Sequence, residues 1–92
     1  MEFEWDPAKE TANFRKHGVS FREACTVFGD ALATIAPDPE HSGEEARSII
    51  IGYSDKERPL LVAFAERGDK MRMISARRLT ATERKTYEES QK

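Results

Sequence analysis

Arginine suits phosphate recognition because its planar fork presents paired N–H donors and keeps its charge. In this chain Arg72, Arg77 and Arg78 fall within seven residues. They ride on the strand-like run Met71-Arg72-Met73-Ile74-Ser75-Ala76, and a helix-start signal follows at once in Thr80-Ala81-Thr82-Glu83. The mouth of that helix adds backbone N–H donors for any anion held beside it. Arg67 and Lys70 flank the tight-turn pair Gly68-Asp69 just upstream and extend the basic stretch. Three roles fit such a cluster: phosphate chemistry, a dock for an acidic partner, or the solvation of a strand end.

The bulk composition limits what can carry the cluster. Ninety-two residues suggest one domain with a modest core, to which a permanent partner would add stability. With 38% hydrophobic and 35% charged residues in mixed runs, the chain reads as a charge-rich folded domain. A net charge of −2 argues against nucleic-acid binding over the whole surface. The charge is nevertheless uneven, with acids gathered between Pro37 and Glu57 and bases from Glu66 onward. A single cysteine, Cys25, builds neither a disulfide framework nor a metal cluster. No signal peptide and no membrane span are expected, which places the chain in the cytoplasm.

The elements that position the arginines follow from local signals. Phe3-Glu4-Trp5 reads as a short strand. Asp6-Pro7 is a helix N-cap with proline in the first turn, and Ala8 to His17 reads as helix ending at Gly18. Ser20-Phe21-Arg22-Glu23 has the form of a capping box, with Phe21, Ala24, Cys25 and Phe28 as the apolar stripe of a second helix. Ala31–Ala36, Arg47–Tyr53, Pro59–Arg67 and Lys70–Arg77 read as strands. Pro37–Glu45 reads as a polar loop containing His41, and Thr80 to Gln91 as a final helix that is apolar only at Ala81 and Tyr87.

Hairpin register predicts which side chains share a face. Turn residues Gly68-Asp69 set Ala65 opposite Arg72 and Phe64 opposite Met73. A four-residue loop Asp55–Arg58 sets Ile51 opposite Val62 and Ile49 opposite Phe64. The core face then holds Ile49, Ile51, Tyr53, Leu60, Val62, Phe64, Met71 and Met73. The open face holds Ser48, Ile50, Gly52, Ala63, Ala65, Arg67, Lys70 and Arg72. Arg47 then pairs with Glu66 on the core side.

Several of these residues form a larger pattern. Phe3-Glu4-Trp5-Asp6-Pro7-Ala8-Lys9, Asn13, Lys16-His17-Gly18-Val19-Ser20-Phe21-Arg22-Glu23-Ala24 and the tail Ile74-Ser75-Ala76-Arg77-Arg78 resemble the BrnT toxin family. So do Arg47 with Ile51-Gly52, Glu66-Arg67, and Glu83-Arg84 with Tyr87. The resemblance implies a ribonuclease toxin of a type II toxin–antitoxin pair, one RelE-like domain over residues 1–92 that cleaves RNA without metal or other cofactor. It also implies a DNA-binding, BrnA-like antitoxin, bound as a dimer to give a heterotetramer. DNA is then contacted only through the antitoxin. Ala65 and Leu79 depart from the family's usual residue types but leave the charged positions intact.

RNA cleavage of this kind needs a base for the 2′-OH, cations for the phosphorane and an acid for the leaving 5′-oxygen. Arg67, Arg72, Arg77 and Arg78 are the candidate cations. Arg77 and Arg78 point oppositely if the strand continues. His17 has the chemistry of a proton donor or acceptor, though it also suits a helix C-terminus. Lys9 and Lys70 are candidate RNA contacts, and Lys9 can alternatively pair with Asp6 or Glu10. The expected fold is α+β: a twisted, mostly antiparallel sheet, two N-terminal helices on one face and a C-terminal helix, in the order β-α-α-β-β-β-β-α. The alternative function is a non-catalytic module whose basic rim docks an acidic partner.

Overall fold

A computed structural model describes residues 2–38 and 46–91. The expected loop over residues 39–45, with His41, lies outside the described residues. Strands β1 (Glu2–Glu4), β2 (Thr34–Pro37), β3 (Arg47–Tyr53), β4 (Pro59–Arg67) and β5 (Lys70–Arg78) form one sheet in the order β1-β5-β4-β3-β2. Among the described strands, β1 with β5 is parallel and the other pairings are antiparallel. Helices α1 (Pro7–His17), α2 (Phe21–Thr26) and α3 (Ala81–Ser90) complete the expected order, and a 3₁₀ turn, Val27–Gly29, extends α2.

The helix boundaries follow the sequence chemistry. Asp6 caps α1 by accepting from Ala8 N–H, and Gly18 ends the helix in the left-handed region at φ 71°. Ser20 caps α2 by accepting from the Glu23 backbone. The expected reciprocal half of that capping box is not made. The Glu23 carboxylate instead turns inward to Arg58 and to the Ser54 hydroxyl.

The core lies between α2, its 3₁₀ extension and one sheet face. Phe21, Ala24 and Val27 pack there with Ile50, Leu60, Val62, Phe64, Met73 and Ala76. Trp5 stands edge-on to Phe21 at 6.0 Å and acts as a core anchor. Cys25 borders the same cluster, where burial pushes its thiol up to about 11.

Helix α1 buries no apolar side chain; its buried residue is Asn13. Strand β1 reaches only Lys70 to Arg72 of β5. Farther along that edge, the Asn13 amide donates to Ala76 C=O at 2.9 Å and accepts from Ala76 N–H at 3.1 Å. The side chain substitutes for a missing strand on an edge that would otherwise expose unpaired backbone groups.

Two register features depart from the sequence reading. Tyr53 pairs with Pro59, so the β3–β4 loop is Ser54–Arg58, one residue longer than expected, with Glu57 at φ 59°. A one-residue slip turns every β3 side chain over. Ile50 is therefore in the core and Gly52 packs against Ala33, Asp30 and Val27, while Arg47, Ile49 and Ile51 face the open side. The expected Arg47–Glu66 pair is lost with the slip, because Arg47 stands opposite Ala65. The second feature is a bulge: Phe64 pairs with Met73 but Ala63 with Ser75, leaving Ile74 as the extra residue of β5.

Candidate functional site

The bulge decides which arginine joins Arg72. With strict alternation Arg78 would share its face. The extra residue at Ile74 shifts the phase, so Ser75 and Arg77 fall on the open face and Arg78 on the opposite one. Arg78 stands opposite Leu60 and is exposed.

The open face carries a cross-strand row, Arg47–Ala65–Arg72–Glu4, over β3, β4, β5 and β1. The alanine leaves space between two arginines whose Cα atoms are about 10 Å apart, two strand spacings. Arg72 donates to Glu4 at 3.4 Å. Beside this row lies a cleft of about 540 Å³. Its floor is Ala63 and Ser75, its apolar walls are Ile49, Ile51, Leu61 and Ile74, and its charged groups are Asp38, Arg47, Arg77 and Glu83. Helix α3 closes one end. Tyr87 is buried, its ring sits 6.2 Å from Tyr53, and its hydroxyl donates to Leu32 C=O at 3.0 Å.

Arg77 and Glu83 form a two-pronged ion pair at 2.8 and 2.9 Å. That pair, with the Thr80 N–H, holds the Glu83 carboxyl down at about 2. So acidic a group is a weak acceptor for a 2′-OH proton.

The predicted residues divide into two sets. Arg67, Lys70, Arg72 and Arg77 share the open face, Arg67 and Lys70 as the exposed pair at the hairpin tip. Roughly 15 Å of strand separates Arg72 from Arg77, so they address different parts of a ligand. Lys9, His17 and Arg78 do not line the cleft. Lys9 is exposed on α1 and His17 is half-buried in its last turn.

Sequence reasoning missed three charged cleft residues, and it set the cleft's Ile49 and Ile51 on the core face. Arg47 is hidden by the slipped register. Asp38 follows directly on β2, where the sequence reads as loop. Glu83 is visible in the sequence only as a helix cap.

A family model described as "Ribonuclease toxin, BrnT, of type II toxin-antitoxin system" matches residues 5–83. Curated proteins yield no match. Among solved structures, the 1.1 Å crystal structure of the Brucella abortus ribonuclease toxin, BrnT, superposes with a TM-score of 0.69 at 24% identity. The match covers 87% of this chain and 97% of that one, and the likeness bears on the fold.

Proposed function

This chain belongs to the BrnT ribonuclease toxins of type II toxin–antitoxin systems, and from that premise we propose that it is an endoribonuclease that cleaves RNA without a metal ion. The observation that carries the reading is the open sheet face. One β-bulge and one register place Arg47, Arg72 and Arg77 there, around small residues and away from the α2-covered core.

Single-stranded RNA lies along this face with its backbone over the arginines. The 2′-OH gives its proton to water as its oxygen attacks the adjacent phosphorus, and the 5′-oxygen leaves and takes a proton from water, giving a 2′,3′-cyclic phosphate and a 5′-hydroxyl. Arg77 holds charge that grows on the phosphoryl oxygens, in a position fixed before reaction, and Arg72 holds the RNA backbone farther along the strand so that the reacting phosphate is in place. Arg67 and Lys70 extend the basic track to the hairpin tip and contact flanking phosphates. His17, Arg78 and Lys9 receive no step.

A BrnA-like antitoxin, a DNA-binding dimer giving a heterotetramer, silences the toxin by covering the same face. Half-buried Ile49, Ile51, Leu61 and Ile74 give a protein partner apolar area to cover. The chain acts in the cytoplasm, and no helix among its described residues is long and apolar enough to cross a membrane.

The test is Arg72→Ala, Arg77→Ala and the double variant. Each is expected to keep its circular dichroism spectrum and antitoxin binding while RNA cleavage falls at least tenfold to a hundredfold, about 1.4–2.7 kcal/mol of barrier. Wild-type cleavage in the double variant refutes the assignment. Loss of antitoxin capture with no RNA cleavage by the wild type supports a docking module instead.

A further inference from the structure

The cation that the bulge turns into the cleft is gripped from α3. Arg77 Nη1 donates to Glu83 Oε1 and Nη2 to Oε2, and Nη1 also reaches Arg78 C=O at 3.3 Å. A guanidinium has five N–H donors. These contacts occupy its end-on edge and the outer Nη1 hydrogen. The Nε–H and the second Nη2 hydrogen remain, and together they form the side-on fork that matches two oxygens of a phosphate.

Glu83 is itself fixed. Its Oε1 accepts from Thr80 N–H at 2.9 Å, and its own N–H donates to Thr80 Oγ1 at 3.1 Å. Capping α3 requires only Glu or Gln at this position. The additional grip on Arg77 is not needed to start the helix.

We propose that Glu83 is a positioning residue, holding Arg77 so that its Nε–Nη2 edge faces the cleft and takes two oxygens of the RNA phosphodiester. The inference rests on the ribonuclease reading above. The carboxylate also offsets the positive charge of Arg77, so it weakens attraction for RNA at rest while fixing the geometry. Such a residue raises turnover more than binding, because a preset donor pair counts most when phosphoryl charge is largest.

The experiment measures kcat on a mixed-sequence fluorescent RNA oligonucleotide and Kd on its 2′-O-methyl, uncleavable counterpart. Glu83→Gln keeps a capping side chain and releases Arg77. Its kcat is expected to fall roughly tenfold to a hundredfold, the cost of a misplaced group, with Kd unchanged or tighter. Arg77→Lys, which keeps the charge but lacks the fork, is expected to show the same split. Gly52→Ala, which crowds Val27 and Ala33 on the core side of the sheet, is expected to lower Tm while kcat holds.

A wild-type chain that leaves the RNA intact overturns the ribonuclease assignment itself, whereas Arg77→Ala at full rate leaves that assignment standing and overturns the role of Arg77 together with that of Glu83. Impaired Arg77→Ala with wild-type kcat in Glu83→Gln or Arg77→Lys overturns only the positioning role. So does a Kd that weakens in step with kcat in Glu83→Gln.

Discussion

Asn13→Ala is predicted to be among the most damaging substitutions in the chain, although it removes no apolar contact from the core. Asn13 is buried, and its amide makes three hydrogen bonds to backbone: to Val19 C=O, to Ala76 C=O and from Ala76 N–H. At about 1 kcal/mol net for each bond, truncation costs about 3 kcal/mol. For a domain of this size, that is a fall in Tm of roughly 12–24 °C. Differential scanning calorimetry and urea unfolding with an unchanged m-value measure it. Asn13→Asp adds a check of sign. Its carboxylate faces two carbonyl oxygens, which raises its folded-state pKa above the unfolded value, so the acid form is the one the fold tolerates. Relative to wild type, Asn13→Asp therefore gains stability as pH falls and loses it as pH rises through that pKa. A Tm loss under about 4 °C for Asn13→Ala, equivalent to 1 kcal/mol or less, refutes the idea that this amide seals the β5 edge.

Gly52→Ala places a Cβ 2.9 Å from Ala33 Cβ and 3.1 Å from Val27 Cγ1, so chemical denaturation should show a loss of about 1–3 kcal/mol from overpacking. Thermal stability should begin to fall in the ordinary carboxylate range and go on falling toward about pH 2, because Arg58 and Ser54 lower the Glu23 pKa and Arg77 holds Glu83 at about 2. Carboxylates depressed by folding stabilise above their unfolded pKa and lose that contribution as pH falls through the folded one. Glu83→Gln should flatten part of the pH–Tm curve between those limits. Iodoacetamide should label native Cys25 at neutral pH far more slowly than the unfolded chain, because burial raises its thiol to about 11 and the thiolate is the reacting form.

The legible parts of the fold are those with short-range punctuation. Asp6-Pro7 and Gly18 bound α1, and Gly68-Asp69 fixes the β4–β5 register next to its turn. The β3 register lacked such a mark. Ile49, Ile50 and Ile51 are equally apolar, so alternation gives no phase. The β3–β4 loop also takes its left-handed turn at Glu57 with no glycine to flag it. Gly52 fixes the phase in the folded chain. Its crowding against Val27 and Ala33 puts it on the core side, and Ile50 must follow it there. Arg72 was legible as an open-face residue because it lies before the bulge. The choice between Arg77 and Arg78 was not, since nothing about Ile74 in isolation marks an extra residue. Glu23 read as a helix cap because its partner Arg58 is distant in sequence and only folding brings them together.

The parallel pairing of β1 with β5 bears on how the toxin comes to exist. Glu2 meets Lys70, and Glu4 meets Arg72, across most of the chain's length. Such long loop closures are slow steps in folding. A ribosome making this chain releases the α1–α2 segment well before β5, the strand that ties the N-terminus down, and the β3–β4 hairpin immediately before it. Arg72 and Arg77 arrive on that same strand, after Arg47 and Arg67. The growing polypeptide therefore lacks a finished open face until its last strand has been made and has met its first.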